Sequence, residues 1–152
     1  MTSLVSSARA MVAAPPEVVF AILADPRQHS RIDGSGTVRG PVSGPEKLAL
    51  GSEFGMDMKM GAPYKIKNRV VEFEQDRLIA WRHVGQHRWR YELTPVADGT
   101  EVTESWDASY YNAVGRAGMR LSGFPRRNLR GIEQTLVKLK ASAESDAGSV
   151  EA

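Results

Sequence analysis

Five polar side chains in the middle of the chain have the types to do chemistry: Asn68, His83, His87, Tyr91 and Glu104. A carboxyl whose pKa is raised by burial can orient a ligand hydroxyl or act as a general acid or base. A tyrosine hydroxyl and an asparagine amide add directed hydrogen bonds. Within this group, an enzyme would rest on Glu104 as proton shuttle, with Tyr91 or His83 stabilising an enol or oxyanion. Nucleophilic catalysis has little support, because there is no GxSxG elbow and the serines of "VSG" and "LSG" have no visible paired base. "DGSGTVRG" lacks the strand–loop–helix setting and the lysine of a phosphate cradle. His83 and His87 flank a proposed hairpin loop, yet no third ligand stands at metal-site spacing, so no metal is expected. No cofactor motif is present.

Whether these groups meet depends on the strands that carry them. Residues 52–108 have strand character throughout, with turn signals at "GAP", "EQDR", "VGQ" and "ADGT". A three-residue loop at 61–63 sets Met60 opposite Tyr64, Met58 opposite Ile66, Met56 opposite Asn68 and Phe54 opposite Val70. A two-residue turn at Gln75-Asp76 sets Val70 opposite Trp81 and Asn68 opposite His83. A loop at 84–86 sets His83 opposite His87, Trp81 opposite Trp89 and Ile79 opposite Tyr91. Asp98-Gly99 is a strong hairpin signal and sets Leu93 opposite Glu104 and Tyr91 opposite Trp106. A slip of one residue would exchange the two faces of a strand. Even so, all four turns gather the methionines, the aromatics and the five polar groups on one face. Charged residues such as Asp57, Lys59, Lys65, Lys67, Arg69, Arg88 and Arg90 fall on the other. The apolar exceptions on that wet side, Val71, Phe73, Leu78 and Ala80, cluster at one hairpin.

The flanking segments supply what covers the inner face. Residues 4–14 read as a first strand. "PPEVVFAILADP" opens a short helix with prolines and an acidic residue in its first turn. Pro26 ends that helix or turns it into a second short one through His29. Residues 33–50 form a long loop with one short strand around 37–39. From 113 to 143 the pattern is helical, with Leu129, Ile132, Leu136 and Leu139 stepping by three and four, and a break is expected near 123–126 at Pro125. The expected architecture is α+β: a curved antiparallel sheet of six or seven strands wrapped around the long C-terminal helix, with two short helices after the first strand.

The 152 residues make one domain, placed at 1–143, with 144–152 a disordered small-residue tail. With 41% apolar and 25% charged residues, the composition is that of a soluble globular protein. The formal charge of +2 gives no argument for nucleic-acid binding, and none is expected. The absence of cysteine excludes disulfides and a thiolate centre and fits a cytoplasmic location. No run approaches the roughly 20 apolar residues of a membrane span. "MTSLVSSARA" has neither the charged start nor the apolar core of a signal peptide.

Four segments carry a resemblance: "ARAMVAAPPEVVFAILADPRQHSRI", "RVVEFEQDRLIAWR", "RWRYELTPVADGTEVTESWD" and "TLVKLKA". In order and spacing they resemble the polyketide cyclase/dehydrase branch of the START-like (SRPBCC) superfamily, over roughly residues 4–143. The resemblance implies the helix-grip fold, with a cavity between sheet and C-terminal helix. It also implies lipid, sterol, polyketide or other hydrophobic ligands, and in a minority of members cyclisation, aromatisation or dehydration. Trp81 after "LIA", Glu104 in "VTES" and Asn68 fall on pattern positions of the family.

The methionine row has two readings. Methionine fills irregular gaps in a solid core. It also makes an adaptable pocket wall when aromatics and a few polar groups share the face. One helix covers a stripe only about 100° wide, so a broad aromatic face leaves a hollow. On the second reading the ligand-binding residues are Phe54, Met56, Met58, Met60, Ile66, Asn68, Trp81, His83, Trp89, Tyr91, Glu104, Trp106 and Phe124. Glu104 is then either a working acid or a structural carboxylate paired with an arginine. Three functions follow: a carrier of a small hydrophobic molecule, a cyclase/dehydratase-type enzyme, and a protein-interaction module. Between Gly115 and Lys140 lie seven basic residues and one acid. They form a solvated helix face, or they meet a peripheral membrane surface, a ligand carboxylate at the pocket mouth or an acidic protein. Monomer and homodimer are both compatible with the chain.

Overall fold

The computed structural model describes residues 4–82 and 85–151, without the side chains of 40–42 and 149–151. Seven strands form one sheet: β1 Val5–Val12, β2 Val38–Ser43, β3 Glu53–Met60, β4 Ala62–Glu74, β5 Leu78–Arg82, β6 Arg88–Val96 and β7 Gly99–Asp107. The order is β1-β7-β6-β5-β4-β3-β2, antiparallel throughout. Between β1 and β2 come α1 Pro16–Leu23, a 3₁₀ turn at Pro26–Gln28 and α2 His29–Ile32. After β7 come α3 Ala113–Leu121 and α4 Phe124–Glu151. This is the expected α+β helix-grip arrangement, with α4 against the curled sheet.

The local causes are those the sequence displays. Pro16 and Glu17 occupy the first turn of α1, where a missing N–H costs nothing and a carboxylate meets the helix dipole. The Asp25 carboxylate accepts the Arg27 backbone N–H at 3.0 Å and fixes the 3₁₀ turn. Asn112 caps α3 by accepting from the Gly115 N–H at 2.9 Å. Gly123 separates α3 from α4 with φ 77°, so the break falls just before Pro125, which sits in the first turn of α4.

Three of the four hairpins differ in detail from expectation. At the first, Met60 pairs with Ala62, Met58 with Tyr64, Met56 with Ile66 and Phe54 with Asn68. Gly61, at φ 75°, carries the reversal, and the ladder is shifted by two residues. At the second, the turn is one residue longer, so Phe73 pairs with Ile79. A bulge between Val70 and Glu72 absorbs the extra residue and restores Val70 opposite Trp81. The bulge also turns Phe73 inward, edge-on to Phe20 at 5.5 Å, which explains one of the apolar exceptions. Trp81 opposite Trp89 and Ile79 opposite Tyr91 are as expected.

At the last hairpin Ala97-Asp98 make the turn and Gly99 already pairs with Val96. Leu93 therefore stands opposite Val102, and Tyr91 opposite Glu104 rather than Trp106. Gly99 has a different task from the one assigned to it. A Cβ there would lie 2.0 Å from the Val12 carbonyl oxygen, so only glycine lets β7 start against the end of β1.

Residues beyond Ala143 continue the helix rather than forming a tail without structure. Ala143 and Ala147 are buried, and the Arg31 guanidinium donates to both oxygens of Asp146 at 3.0 and 2.8 Å.

Candidate functional site

β6 and β7 bring the carboxyl and the phenol together. Tyr91 Oη donates to Glu104 Oε1 at 2.6 Å, across the strand pair. Glu104 is 2% exposed, and its Oε2 has no partner. Burial raises the Glu104 pKa to about 8; the Tyr91 hydrogen bond opposes the rise and the Asp33 charge adds to it. The carboxyl is therefore mostly protonated at pH 7. Since Oε1 accepts from Tyr91, the proton belongs on Oε2. Burial, then the charge and hydrogen bond of Glu104, hold the Tyr91 hydroxyl well above its ordinary pKa. No arginine pairs with Glu104 among the described residues, which removes the structural ion pair considered for it.

Glu104 and Tyr91 stand in the wall of a cavity of about 830 Å³. Its walls are the concave sheet face, the segment joining α2 to β2, and the first half of α4. That size lies within the roughly 300–1,000 Å³ of small-molecule sites. The methionine row grades from inside to outside: Met56 is 4% exposed, Met58 half-buried and Met60 49% exposed. Deeper in, His29 stacks on Trp81 at 4.8 Å, and Phe54 meets both edge-on at 5.3 and 5.6 Å. Trp81 in turn lies 5.5 Å from the Tyr91 ring.

Of the expected binding residues, Met56, Met58, Met60, Ile66, Asn68, Trp81, Trp89, Tyr91, Glu104, Trp106 and Phe124 line this space. Phe54 is fully buried in the aromatic stack and does not reach the lining. His83 lies outside the described residues. His87 lines the cavity and its Nδ1 is 2.9 Å from the Tyr111 hydroxyl. Among the described residues no three His, Asp or Glu side chains group as metal ligands.

Several lining residues had no role in the sequence reading. His29 is buried, with Nε2 2.8 Å from the Leu23 carbonyl oxygen, which can only accept. Nε2 therefore carries the hydrogen and Nδ1 the lone pair, and burial lowers the pKa to about 4. Its spacing of three from Ile32, both buried on α2, is the signal that could have placed it inward. Asp33 accepts from the Ser35 N–H and hydroxyl through Oδ1 and from the Val38 N–H through Oδ2. These bonds shape the segment at the cavity lip. Next to it, the Gly34 N–H donates to Thr135 Oγ1 at 2.9 Å. A Cβ on Gly34 would stand 2.3 Å from the Thr135 backbone nitrogen, so glycine is what seals this lip against α4. On α4 itself, Arg126, Arg127, Arg130, Gly131 and Thr135 complete the wall. Among the described residues no helix is long and apolar enough to cross a membrane.

Comparison with known proteins places this architecture. The uncharacterized protein Rv0088 of Mycobacterium tuberculosis (strain ATCC 25618 / H37Rv) is 45% identical over 135 residues, 84% of this chain and 59% of that protein. The chain thus spans about three-fifths of the length of the curated relatives it matches. The di-domain ARO/CYC StfQ from the steffimycin biosynthetic pathway superposes with TM-score 0.72 at 18% identity, covering 95% of this chain and 52% of that one. The Polyketide_cyc-like protein Cgl2372 from Corynebacterium glutamicum gives TM-score 0.62 at 22% identity, covering 95% and 93%. At these identities the likeness to the solved structures is one of fold. The family described as polyketide cyclase / dehydrase and lipid transport matches residues 3–144, and this chain, with its sheet gripping α4 around the cavity, belongs to that family.

Proposed function

We propose that the protein binds a small hydrophobic molecule, of lipid, sterol or polyketide type, in the cavity between sheet and α4. The observation that carries this reading is a cavity of about 830 Å³ walled by methionines and aromatics, with Glu104, whose Oε2 is buried and unpartnered, in its wall. A buried polar atom without a partner costs about 1–3 kcal/mol. A ligand oxygen accepting from the protonated carboxyl removes that cost, which orients the ligand as well as holding it. Thioethers adapt to the rest of the molecule. The lack of cysteine supports a cytoplasmic setting.

Nile red, a neutral apolar dye, tests this reading. Saturable one-to-one binding with a blue-shifted emission is expected. Met58→Trp, which fills the space from the wall, should weaken it at least tenfold. A folded wild-type protein that neither binds the dye nor releases any small molecule in native mass spectra contradicts the proposal.

A second reading is a cyclase/dehydratase-type enzyme, favoured by one feature: a neutral carboxyl hydrogen-bonded to a phenol at 2.6 Å inside the cavity. Glu104 would give and recover the proton, and Tyr91 would hold it in place. Under this reading Glu104→Gln keeps binding a poly-β-keto thioester and loses its turnover. A wild-type protein that binds such a compound without converting it leaves only the carrier.

A further inference from the structure

The basic residues of α4 fall into two groups. Lys138 and Lys140, midway along the helix, have partners: Lys138 Nζ donates to the Asp33 carbonyl oxygen at 2.8 Å, and Lys140 pairs with Glu144 at 2.7 Å. Arg126, Arg127 and Arg130 line the cavity and lie exposed at its mouth. Among the described residues none of the three has a carboxylate within ion-pair distance, and Arg127 reaches only the Met60 sulfur at 3.3 Å. A thioether is a weak acceptor. Asp33, the carboxylate across the mouth, already accepts from Ser35 and Val38.

The position makes the cluster more notable. All three arginines lie in the first two turns of α4, at the positive end of its dipole, and the first turn holds no acidic residue. Cations there are disfavoured. Three guanidinium groups gathered at a helix start, over a cavity and without counter-charge, form a field for an anion. The planar guanidinium fork suits carboxylate and phosphate oxygens in particular. The independent mark of a ligand is in the wall of the same cavity: Glu104, buried, with an Oε2 that no protein group partners.

We infer that the ligand is an amphiphile with an anionic head, a carboxylate or phosphate, held at the mouth by Arg126, Arg127 and Arg130, while its apolar body fills the space along Met56 and Met58. The inference rests on reading the cavity as a hydrophobic binding site. It adds a polarity to that site: charged end outward on α4, neutral carboxyl at the inner end.

Competition against bound Nile red tests it, using dodecanoate, dodecyl phosphate and dodecan-1-ol below their aggregation limits. The two anions should displace the dye at concentrations at least tenfold lower than the alcohol does. Raising salt from low to high should shrink that preference, since exposed charges are screened. The variant carrying Arg126→Gln, Arg127→Gln and Arg130→Gln should lose the preference, its affinity for the two anions falling at least tenfold more than its affinity for dodecan-1-ol. Arg130→Gln alone, a single change at an exposed position, should reduce it part-way and guards against a triple variant that fails to fold. Equal displacement by all three compounds overturns the anionic head and leaves the hydrophobic cavity standing. Failure of the wild type to bind dye or competitor overturns both. Arginine-dependent sedimentation with phosphatidylglycerol vesicles, without preference among the soluble compounds, assigns the cluster to a membrane surface and overturns the inference too.

Discussion

One sheet and one helix make both a solid core and a hollow in this molecule. At one end, Leu136, Leu139 and Ala143 of α4 share one buried cluster with Leu93 and Val102, and α1 adds Val19, Phe20 and Leu23. All eight are essentially buried. At the other end, Arg127, Gly131 and Thr135 of α4 share the cavity lining with Met58, Trp89 and Trp106, and Met119 of α3 and Ile32 of α2 reach its wall without filling it. The sheet adds Asn68, Tyr91 and Glu104 to its apolar face at the hollow end. The helix side chains set against it differ as well, in size and polarity. A cavity here is therefore a property of α4's first half, and the wide methionine and tryptophan face is its other wall.

Truncation should separate the two ends. Leu139→Ala, in the filled end, should cost about 2–5 kcal/mol, because neighbours packed on every side cannot collapse into the space. Met58→Ala, on the hollow end, should cost less than about 1 kcal/mol, since its outer side already faces open space. Urea unfolding of both variants reads the difference. Equal losses would mean the cavity wall is packed as tightly as the core.

The hollow end also answers to pH, through Glu104 and His29. Glu104 holds its proton more tightly folded, at about 8 against an ordinary 4.5, so its stabilising contribution is full below 4.5 and is lost as pH rises toward 8. His29 has the opposite sign. Its pKa falls from 6.5 to about 4, so its contribution is full above 6.5 and is lost as pH falls toward 4. Between 4.5 and 6.5 the two offset each other. Between 6.5 and 8 the Glu104 term remains and stability should fall by about 2 kcal/mol. Glu104→Gln keeps an acceptor for Tyr91 and should abolish that fall, as thermal unfolding at each pH would reveal. A wild-type profile flat from 6.5 to 8 would mean that Glu104 ionises normally.

The fold was readable because its signals tolerate small errors. Shifting a hairpin by two residues, as happened at Met60 and at Asp98, returns every side chain to the same face. The inner and outer faces survived both mistakes. Pairing did not. The Asp-Gly signal drew the turn one residue too far along, because Gly99 looks like a turn glycine and is needed for its contact with Val12. That error hid the partnership of Tyr91 and Glu104. The bulge at Val71 left no mark in the sequence, since it cancels a longer turn. His29, Asp33 and Gly34 belong to a segment whose path depends on α4, so local pattern could not place them. The arginines of "GFPRRNLRG" were visible as charge, while their place at a cavity mouth is a tertiary fact.

The methionines themselves offer the most direct test of the binding site. Six are present, and Met56, Met58, Met60 and Met119 line the cavity, while Met11 is exposed on β1 away from it. With methyl-¹³C methionine, each gives its own NMR signal. Titration with Nile red should move the four cavity methyls and leave Met11 in place. If the dye moves Met11 alone, or none of them, the hollow under α4 is not where this protein takes its ligand.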